Sequence, residues 1–292
     1  MYHKTFPYRV FNVFNTAFLS ALAIICVIPL VHVLAVSLSA KAAADGNLVG
    51  LWPVDFSLEA YKATVSNRYF LGSVWTSVLR TAIGTALILL VTVLAAYPLS
   101  KETREFRGRP VYAWMFVFTM IFNGGLVPFY ILIMKLGLID KFAVLIIPAM
   151  VNVWLIVLMM NFFRGVPRAL EEAAFIDGAS HFGVLFRIYL PLSLPALATL
   201  GLFAGVWHWN SWFDGLLYLS RKEDYPLATY LQTVIVSRDM SSMNFTIEEM
   251  QLLSQKTINA AQIFIGALPV LLVYPFLQRY FIKGLVLGSV KE

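Results

Sequence analysis

A polar segment between two long apolar runs carries the residues best suited to bind a partner protein. It combines a carboxylate, two small alanines, an Asp-Gly turn and a closing Leu-Pro; the set is Glu172, Ala173, Ala174, Asp177, Gly178, Ile188, Leu190 and Pro191. Alanines allow another surface to approach closely, and glycine permits a turn because it readily adopts a left-handed backbone. We therefore expect a short helix along the membrane surface, broken at Gly178 and resumed before Pro191, that a cytoplasmic partner can bind.

The start of this helix is predicted at Pro167. A proline there costs nothing, because the first backbone N–H groups of a helix have no acceptor within the helix. Glu171 and Glu172 then fall in the first turn, where a negative charge interacts favourably with the helix dipole.

No combination of residues in the sequence predicts an enzyme. There is no Gly-x-x-x-x-Gly-Lys-Ser/Thr phosphate loop, and the four histidines fall in different segments without metal-ligand spacing. The single cysteine, Cys26, allows no disulfide within the chain and lies inside an apolar run. We therefore expect no catalytic residue, metal site or cofactor in this chain. If ATP and Mg²⁺ are used, a partner subunit binds them.

The composition is that of a membrane protein. Of 292 residues, 60% are hydrophobic and 13% are charged, whereas a soluble domain is about a quarter charged. A helix needs about 20 residues to cross a hydrocarbon layer of ~30 Å, and each apolar run is long enough. We predict an all-α integral membrane protein with six transmembrane helices, at 13–38, 72–99, 111–134, 143–163, 192–219 and 260–282. Gly124, Gly125 and Pro128 should interrupt the third of these with an irregular turn over 123–129.

Lysine and arginine set the predicted orientation. Short cytoplasmic loops carry an excess of these residues, and the segment 101–109 is dense in them. Both termini are therefore predicted in the cytoplasm, and so is Glu172. No repeat or separable soluble segment occurs, so the chain is read as one transmembrane domain. This domain covers residues 1–292. Within it we predict a cytoplasmic loop at 164–191, outer loops at 39–71 and 220–259, and a cytoplasmic tail at 283–292.

The spacing Glu-Ala-Ala-x3-Gly-x9-Ile-x-Leu-Pro, from Glu172 to Pro191, resembles the cytoplasmic coupling loop of permease subunits of binding-protein-dependent ABC importers. The resemblance implies a type I importer permease fold in the bacterial inner membrane. It also implies that Glu172 faces a basic residue in a cleft of the ATPase, while Asp177 and Gly178 shape the turn. The implied partners are a homologous second permease, two ATPase subunits, a solute-binding protein and membrane lipid, with no nucleic acid.

The C-terminal sequence FIKGLVLGSVKE gives a second match. It resembles the tail of the maltose-type second permease, which reaches into the ATPase dimer; the corresponding residues are Gly284, Leu285, Gly288, Val290 and Lys291. Glu292 departs from the glycine of that pattern. The alternative is a frayed cytoplasmic end without a specific contact.

Four further segments resemble permeases for complex saccharides such as alginate and aldouronates. They are 95–109, 122–140, 160–174 and 207–219. The resemblance implies import of an oligo- or polysaccharide, with a uronate-containing one preferred. Another sugar or a peptide remains an alternative within the family. A secondary transporter that works alone is the alternative from another class, but it predicts interrupted spans at matching positions of two halves, and the sequence shows no such pairing.

Polar and aromatic residues within the spans are the candidates for a transport pathway, because an intramembrane charge is costly unless it faces a cavity or a partner. The candidates are Arg80, Trp209, Asn210, Trp212 and Asp214, and Trp207, Phe213 and Tyr218 extend the aromatic group. Sugar rings stack on such faces; interfacial anchoring or helix packing is the alternative. Asn210 and Asp214 are predicted to share a helical face at i,i+4. Arg80 could attract an anionic saccharide, but snorkelling or an ion pair is preferred.

Overall fold

In the part of the chain that the structure describes, the protein is helical apart from turns, loops and one isolated β-bridge between Ser39 and Phe56. The computed structural model describes residues 5–237 and 254–289, with side chains at all of these positions except 235–237, 274 and 276–289. The α-helices are α1 (Phe6–Ser37), α2 (Lys41–Asp45), α3 (Glu59–Ser66), α4 (Arg68–Ser100), α5 (Arg109–Ile121), α6 (Leu126–Lys135), α7 (Val153–Arg164), α8 (Arg168–Ile176), α9 (His181–Val184), α10 (Leu190–Leu192), α11 (Leu194–Asn210), α12 (Phe213–Tyr218), α13 (Leu227–Ser237) and α14 (Gln255–Ser289). Turns of 3-10 helix cover Phe142–Leu145, Ile147–Ala149 and Lys222–Asp224, and a π-helical turn covers Leu185–Tyr189.

Three helices of the described chain are long and apolar enough to cross a membrane by themselves. They are α1, α4 and the Gln255–Val273 part of α14. Three bent pairs pass the same test jointly, namely α5 with α6, Phe142–Ala149 with α7, and His181–Leu192 with α11. By length and composition this allows up to six spans, the number predicted from the sequence.

The break predicted in the third span is confirmed. α5 ends at Ile121 and α6 begins at Leu126, and the two helices meet at an angle of 116°. Gly125 adopts a left-handed φ of 87°, a conformation that glycine takes without strain, and its N–H donates to Asn123 Oδ1 at 2.9 Å. The sequence run 111–134 therefore forms two helices rather than one.

The fourth and fifth predicted spans are wrong as continuous helices. In the fourth, 3-10 turns around Pro148 precede α7, which starts where Asn152 Oδ1 accepts from the Leu155 N–H at 3.2 Å, and the bend is 49°. In the fifth, helical structure begins at His181 rather than at residue 192, and the chain bends by 82° at Ser193. The fifth run is interrupted again at residues 211–212, before α12.

The chain divides into two compact units, each described here by itself. The first comprises Met1–Leu71 and Leu231–Leu268, and the second comprises Gly72–Tyr230 and Pro269–Glu292. In the first unit, Ser37 Oγ and Tyr61 Oη are 2.7 Å apart, and Lys256 Nζ donates to Asn47 Oδ1 at 3.0 Å. The first bond joins the end of α1 to α3, and the second joins the residues after α2 to the start of α14.

The second unit holds the main apolar core and the candidate site. Its buried residues include Ile88, Tyr97, Met159, Phe163 and Leu200, from α4, α7 and α11. Glycines let α4 and α11 approach closely along their length. A methyl group added to Gly84 would lie 2.3 Å from His208 Nε2, and one added to Gly201 would lie 3.2 Å from Leu89 Cδ1. Small residues at such contacts are typical of helices that pack inside a membrane.

Candidate functional site

The predicted cytoplasmic loop 164–191, named the coupling loop after its sequence resemblance, contains α8, which Pro167 precedes as its N-cap, as the sequence predicted. Glu171 lies in the first turn, whereas Glu172 lies just beyond it, so that the expected first-turn position of Glu172 is wrong by one residue. Asp177 is the C-cap and Gly178 follows with φ of 78°. The Gly178 N–H donates to Phe175 O at 3.0 Å and the Ala179 N–H to Ala174 O at 2.9 Å. This pattern is a Schellman motif, which needs a left-handed residue at the position of Gly178.

After this turn the chain returns as a second helical piece. Ser180 Oγ accepts from the Gly183 N–H at 3.2 Å and so caps α9. The π-helical turn Leu185–Tyr189 and α10 continue it as far as Leu192. Ile188 and Leu190 are half-buried and pack against the main core, while Pro191 is exposed. The Ile and Leu of the motif therefore anchor the returning chain to the core.

The two adjacent glutamates of α8 have opposite environments. Glu171 is 9% exposed and points into the protein, whereas Glu172 is exposed at the surface. Ala173 is exposed beside Glu172, and Ala174 packs against the main core. Consecutive helical residues point about 100° apart, since a turn has 3.6 residues. One face of α8 is therefore fastened to the protein, and the face with Glu172 and Ala173 is available to a partner.

Glu171 belongs to a buried polar group with Lys101 and Tyr189, which we call the lysine cluster. Lys101 Nζ forms an ion pair with Glu171 Oε1 and donates to Tyr189 Oη at 3.0 Å. Tyr189 Oη in turn donates to Glu171 Oε2 at 2.5 Å. The ammonium also lies 4.2 Å from the ring centroid of Tyr97 and 4.3 Å from that of Tyr189, so that two aromatic faces replace part of its hydration.

A second ion pair, which we call the exposed pair, joins the same two segments of chain. Arg168, the first residue of α8, binds Glu102, the neighbour of Lys101, and their side chains are 51% and 43% exposed. Burial lowers the pKa of Lys101, and the hydrogen bond and charge of Glu171 oppose that effect. The hydrogen bond from Arg168 lowers the pKa of Glu102. The end of α4 and α8 are thus linked twice, once inside the protein and once in solvent.

A cavity of about 760 Å³ lies beside the exposed glutamate. Its lining is mostly apolar, and Lys101, Glu171 and Arg168 from the two links also line it. The residues that define it include Tyr97, Phe106, Glu172, Phe175, His181 and Phe182. The ring centroids of Phe175 and His181 are 5.0 Å apart in an edge-to-face arrangement, which fixes the end of α8 against the start of α9.

Arg80 does not snorkel: its side chain is fully buried and forms the ion pair that the sequence offered as an alternative. Its Nη1 donates to Asp214 Oδ1 at 3.2 Å and to Ser211 O at 2.9 Å, and its Nη2 also binds Asp214. Asp214 Oδ1 further accepts from the Gly215 N–H at 2.9 Å. We call Arg80 and Asp214 the arginine pair. It satisfies a carbonyl that the break at residues 211–212 leaves without a helical partner.

The predicted i,i+4 face of Asn210 and Asp214 is wrong, because the break separates them into α11 and α12. Asn210 and Trp212 instead line a cavity of about 700 Å³ together with Trp207 and Phe213. Trp209, by contrast, is absent from this lining. Tyr218 is buried and stacks on Tyr130 at a centroid distance of 5.9 Å, so that it does not belong to the aromatic group either.

Only some of the predicted tail residues lie in the part of the chain that the structure describes. Gly284, Leu285 and Gly288 lie in α14, where only the backbone is described. Val290 and Lys291 lie outside the described residues, so the predicted contact of the tail stays a prediction. Among the described residues, no group of three or more His, Cys, Asp or Glu could hold a metal ion.

Sequence reasoning missed the lysine cluster. Lys101 stood out only as one of several cytoplasmic charges, and Tyr189 only as a spacer within the motif. A usable signal was the helical wheel of α8, since Glu171 shares a face with Ala174, three residues later. Its partner could not be read from the sequence, because Lys101 lies seventy residues away and no local pattern links the two.

Comparisons with known proteins agree with this architecture. The family described as binding-protein-dependent transport system inner membrane component matches residues 106–286. Protein LplC of Bacillus subtilis is 39% identical over 289 residues, which cover 99% of this chain and 97% of that protein. The polygalacturonan/rhamnogalacturonan transport system permease protein YtcP of the same organism is 41% identical over 287 residues, with 97% and 99% covered.

Solved structures give the same result. One chain of a bacterial ABC transporter involved in the import of the acidic polysaccharide alginate superimposes with a TM-score of 0.86 at 33% identity, covering 95% of this chain and 98% of that one. A chain of the bacterial alginate ABC transporter in complex with an alginate pentasaccharide-bound periplasmic protein gives a TM-score of 0.53 at 12% identity, a likeness of fold alone. These similarities exclude the alternative class considered from the sequence, a secondary transporter that works alone. The chain belongs to the family of binding-protein-dependent transport system inner membrane components and has the fold of an ABC importer permease.

Proposed function

We propose that this chain is one of two permease subunits of a bacterial inner-membrane ABC importer for a uronate-containing oligo- or polysaccharide. The observation that carries the proposal is the agreement of two full-length relatives. One is named for polygalacturonan and rhamnogalacturonan, and the other belongs to an importer of the acidic polysaccharide alginate. Polygalacturonan, rhamnogalacturonan and alginate all contain sugar acids, and both relatives cover nearly the whole of this chain.

The proposed role of the coupling loop is to bind an ATPase subunit. The exposed face of α8 presents Glu172 and Ala173 to the ATPase, and Gly178 sets the angle at which the chain returns. The carboxylate of Glu172 pairs there with a basic side chain. The partner ATPases bind ATP and Mg²⁺ and hydrolyse the nucleotide, so the permease catalyses nothing by itself. The tail, from Gly284 to Lys291, adds a second contact with the ATPases.

The proposed transport cycle is alternating access. A solute-binding protein docks on the outer segments 41–69 and 220–258 and delivers the saccharide. Closure of the ATPases draws the coupling loops of the two permeases together and turns the central pathway outward. One six-helix subunit encloses half of such a pathway, and a homologous second permease supplies the other half.

The cavity of about 700 Å³ supports a place for the saccharide within this chain. Trp207, Trp212 and Phe213 offer ring faces for stacking, and Asn210 offers a neutral hydrogen-bonding group. Arg80 is not the receptor for a substrate carboxylate in this arrangement, because Asp214 already neutralises it. We therefore assign Arg80 and Asp214 to holding the broken span and Asn210 and Trp212 to the pathway.

The test is uptake into proteoliposomes that contain this chain with its second permease and ATPases. We expect uptake and ATPase stimulation when the binding protein carries a galacturonate or alginate oligomer. Glu172→Ala should abolish stimulation, whereas Ala169→Ser, a mild change on an exposed position of the same helix, should not. Uptake of neutral oligosaccharides or peptides with no uptake of uronates would contradict the proposed substrate class. Full stimulation in Glu172→Ala would contradict the role of that residue.

A further inference from the structure

Two buried ion pairs hold helix α4, one at Arg80, about three turns inside the helix, and one at Lys101, directly after its last residue. Arg80 binds Asp214 and Ser211 at the break in the fifth span, and Lys101, directly after the last residue of α4, binds Glu171 in the coupling loop. At the rise of an α-helix, Arg80 and Ser100 are separated by about 30 Å, which is the thickness of the hydrocarbon layer. The same helix therefore contacts residues 211–214 through Arg80, and α8 through the residue that follows its C-terminal end.

The lysine cluster is built to fix one geometry. Each pair among its three side chains shares a hydrogen bond or an ion pair. The Tyr189 ring is further held edge-on by Tyr97 and Phe163, at centroid distances of 5.2 and 5.3 Å. A buried charge that loses its partner is costly, so the three groups must move together or not at all.

The exposed pair, Arg168 with Glu102, does not fix one geometry in this way. It links the same two segments, but both side chains are about half exposed. Water can replace either partner at little cost, so this pair holds α8 only weakly. The chain thus contains a buried link and a matched exposed link between the end of α4 and α8.

We propose that Lys101, Glu171 and Tyr189 are positioning residues that fasten the coupling helix α8 to α4, so that α4 carries the movement of α8 toward the broken fifth span. The inference rests on the proposed function for the origin of that movement, which is closure of the ATPases. The lysine cluster makes α8 and α4 one body, and the arginine pair passes the displacement of α4 to residues 211–214. The close contact of Gly84 with His208 keeps α11 against α4 between the two.

The first test measures whether α8 moves with α4. Spin labels are placed at Leu90 of α4 and Ile176 of α8, which are 48% and 86% exposed, in a chain whose only cysteine is replaced by Cys26→Ser. The distance distribution is recorded by double electron–electron resonance on the complete complex in nanodiscs, without nucleotide and with ATP trapped in a hydrolysis-deficient ATPase. The labelled chain with an intact cluster must retain ATPase stimulation.

We expect a narrow distance distribution that ATP does not change when the lysine cluster is intact. Glu171→Gln should broaden it and make it respond to ATP, and Tyr189→Phe should do so to a smaller extent. Glu102→Gln, which removes the matched exposed pair, should leave it as in the unaltered chain. In uptake assays, Glu171→Gln should lower the saccharide transported per ATP roughly tenfold, a typical allosteric coupling.

Equal distributions and equal uptake per ATP in Glu171→Gln and Glu102→Gln would overturn the proposal. Tyr189→Phe keeps the packed ring and Lys101→Arg keeps the charge, so these variants give the answer if Glu171→Gln does not fold. A complex that transports no uronate would contradict the proposed function, but the spin-label comparison would still report whether the cluster fastens α8. The two failures are therefore distinguishable.

Discussion

The two buried ion pairs of α4 use different chemistry. Arg80 is fully buried, and its planar guanidinium binds a carboxylate and a backbone carbonyl at once. Lys101 is a point charge between two tyrosine rings, and its partners Glu171 and Tyr189 come from the coupling loop. The arginine fork suits a place where the backbone itself is interrupted and must be held. The lysine cluster joins the residue after α4 to α8 and to the returning chain at Tyr189, and so fixes the position of these segments relative to one another. The arginine pair is therefore assigned to maintaining the fold of the broken span, and the lysine cluster to the transmission of movement proposed above.

The largest effect is expected from Arg80→Met. The substitution leaves the Asp214 carboxylate and the Ser211 carbonyl without their cation, and breaking a buried pair from one side costs about 3–5 kcal/mol. We expect a large fall in the thermal unfolding temperature of the purified permease complex. The double variant Arg80→Met with Asp214→Leu should recover much of it, because no uncompensated charge remains. A double variant no more stable than Arg80→Met would contradict the assignment of the pair.

The next effect is expected from Tyr189→Phe. The ring packing survives, but Glu171 and Lys101 each lose a hydrogen bond, and a bond to a charged group contributes about 1.5–3 kcal/mol. Tyr189→Phe should lower the saccharide transported per ATP as its main effect. Arg80→Met, in contrast, should lower the unfolding temperature as its main effect. Loss of stability with unchanged uptake per ATP would assign the lysine cluster to the fold alone and remove the contrast between the two pairs.

Gly84→Ala tests the helix contact that lies on α4 between the arginine pair and the lysine cluster. The new methyl group would lie 2.3 Å from His208 Nε2, and overpacking of this kind costs about 1–3 kcal/mol. Gly72→Ala is the matched control on the same helix, because the nearest atom to its methyl group would be Glu223 O, at an ordinary contact distance of 3.8 Å. Thermal unfolding should separate the two variants. Equal stability would show that α4 and α11 are not in close contact at Gly84.

The smallest effect is expected from Glu102→Gln. Both partners of this pair are exposed and solvent screens their attraction, so stability and uptake should stay close to those of the unaltered chain. Because Arg168 lowers the pKa of Glu102, the contribution is present above the ordinary carboxylate range and is lost only as the pH falls through the lowered pKa. Stability of the variant and of the unaltered chain should therefore differ little and converge further in acid. A large loss at neutral pH would contradict the distinction between buried and exposed links.

The sequence predicted the elements that depend on local chemistry. Pro167, Gly178 and the apolar runs each act through the backbone or through partition into lipid, and the helix start, the turn and the helical content were confirmed. The break at Gly125 was predicted for the same reason.

Ion pairs between residues that are far apart in the sequence could not be predicted from local patterns. Arg80 meets Asp214 and Lys101 meets Glu171 only after folding, and the first of these contacts lies beside the break at residues 211–212. A continuous apolar run such as 192–219 carries no local signal of a tertiary interaction that interrupts it, so it reads as one helix. The opposite orientations of Glu171 and Glu172 likewise follow from which face of α8 meets the core.

The most direct test compares the two adjacent glutamates in one reconstituted preparation, by measuring ATPase stimulation and saccharide uptake together. Glu172 is exposed for the ATPase and Glu171 is held by Lys101 and Tyr189. Glu172→Ala should lose both stimulation and uptake, because the ATPase no longer engages α8. Glu171→Gln should retain stimulation and lose uptake, because α8 still engages but α4 no longer follows. A parallel loss of both activities in the two variants would contradict the separation of docking from transmission on which this account depends.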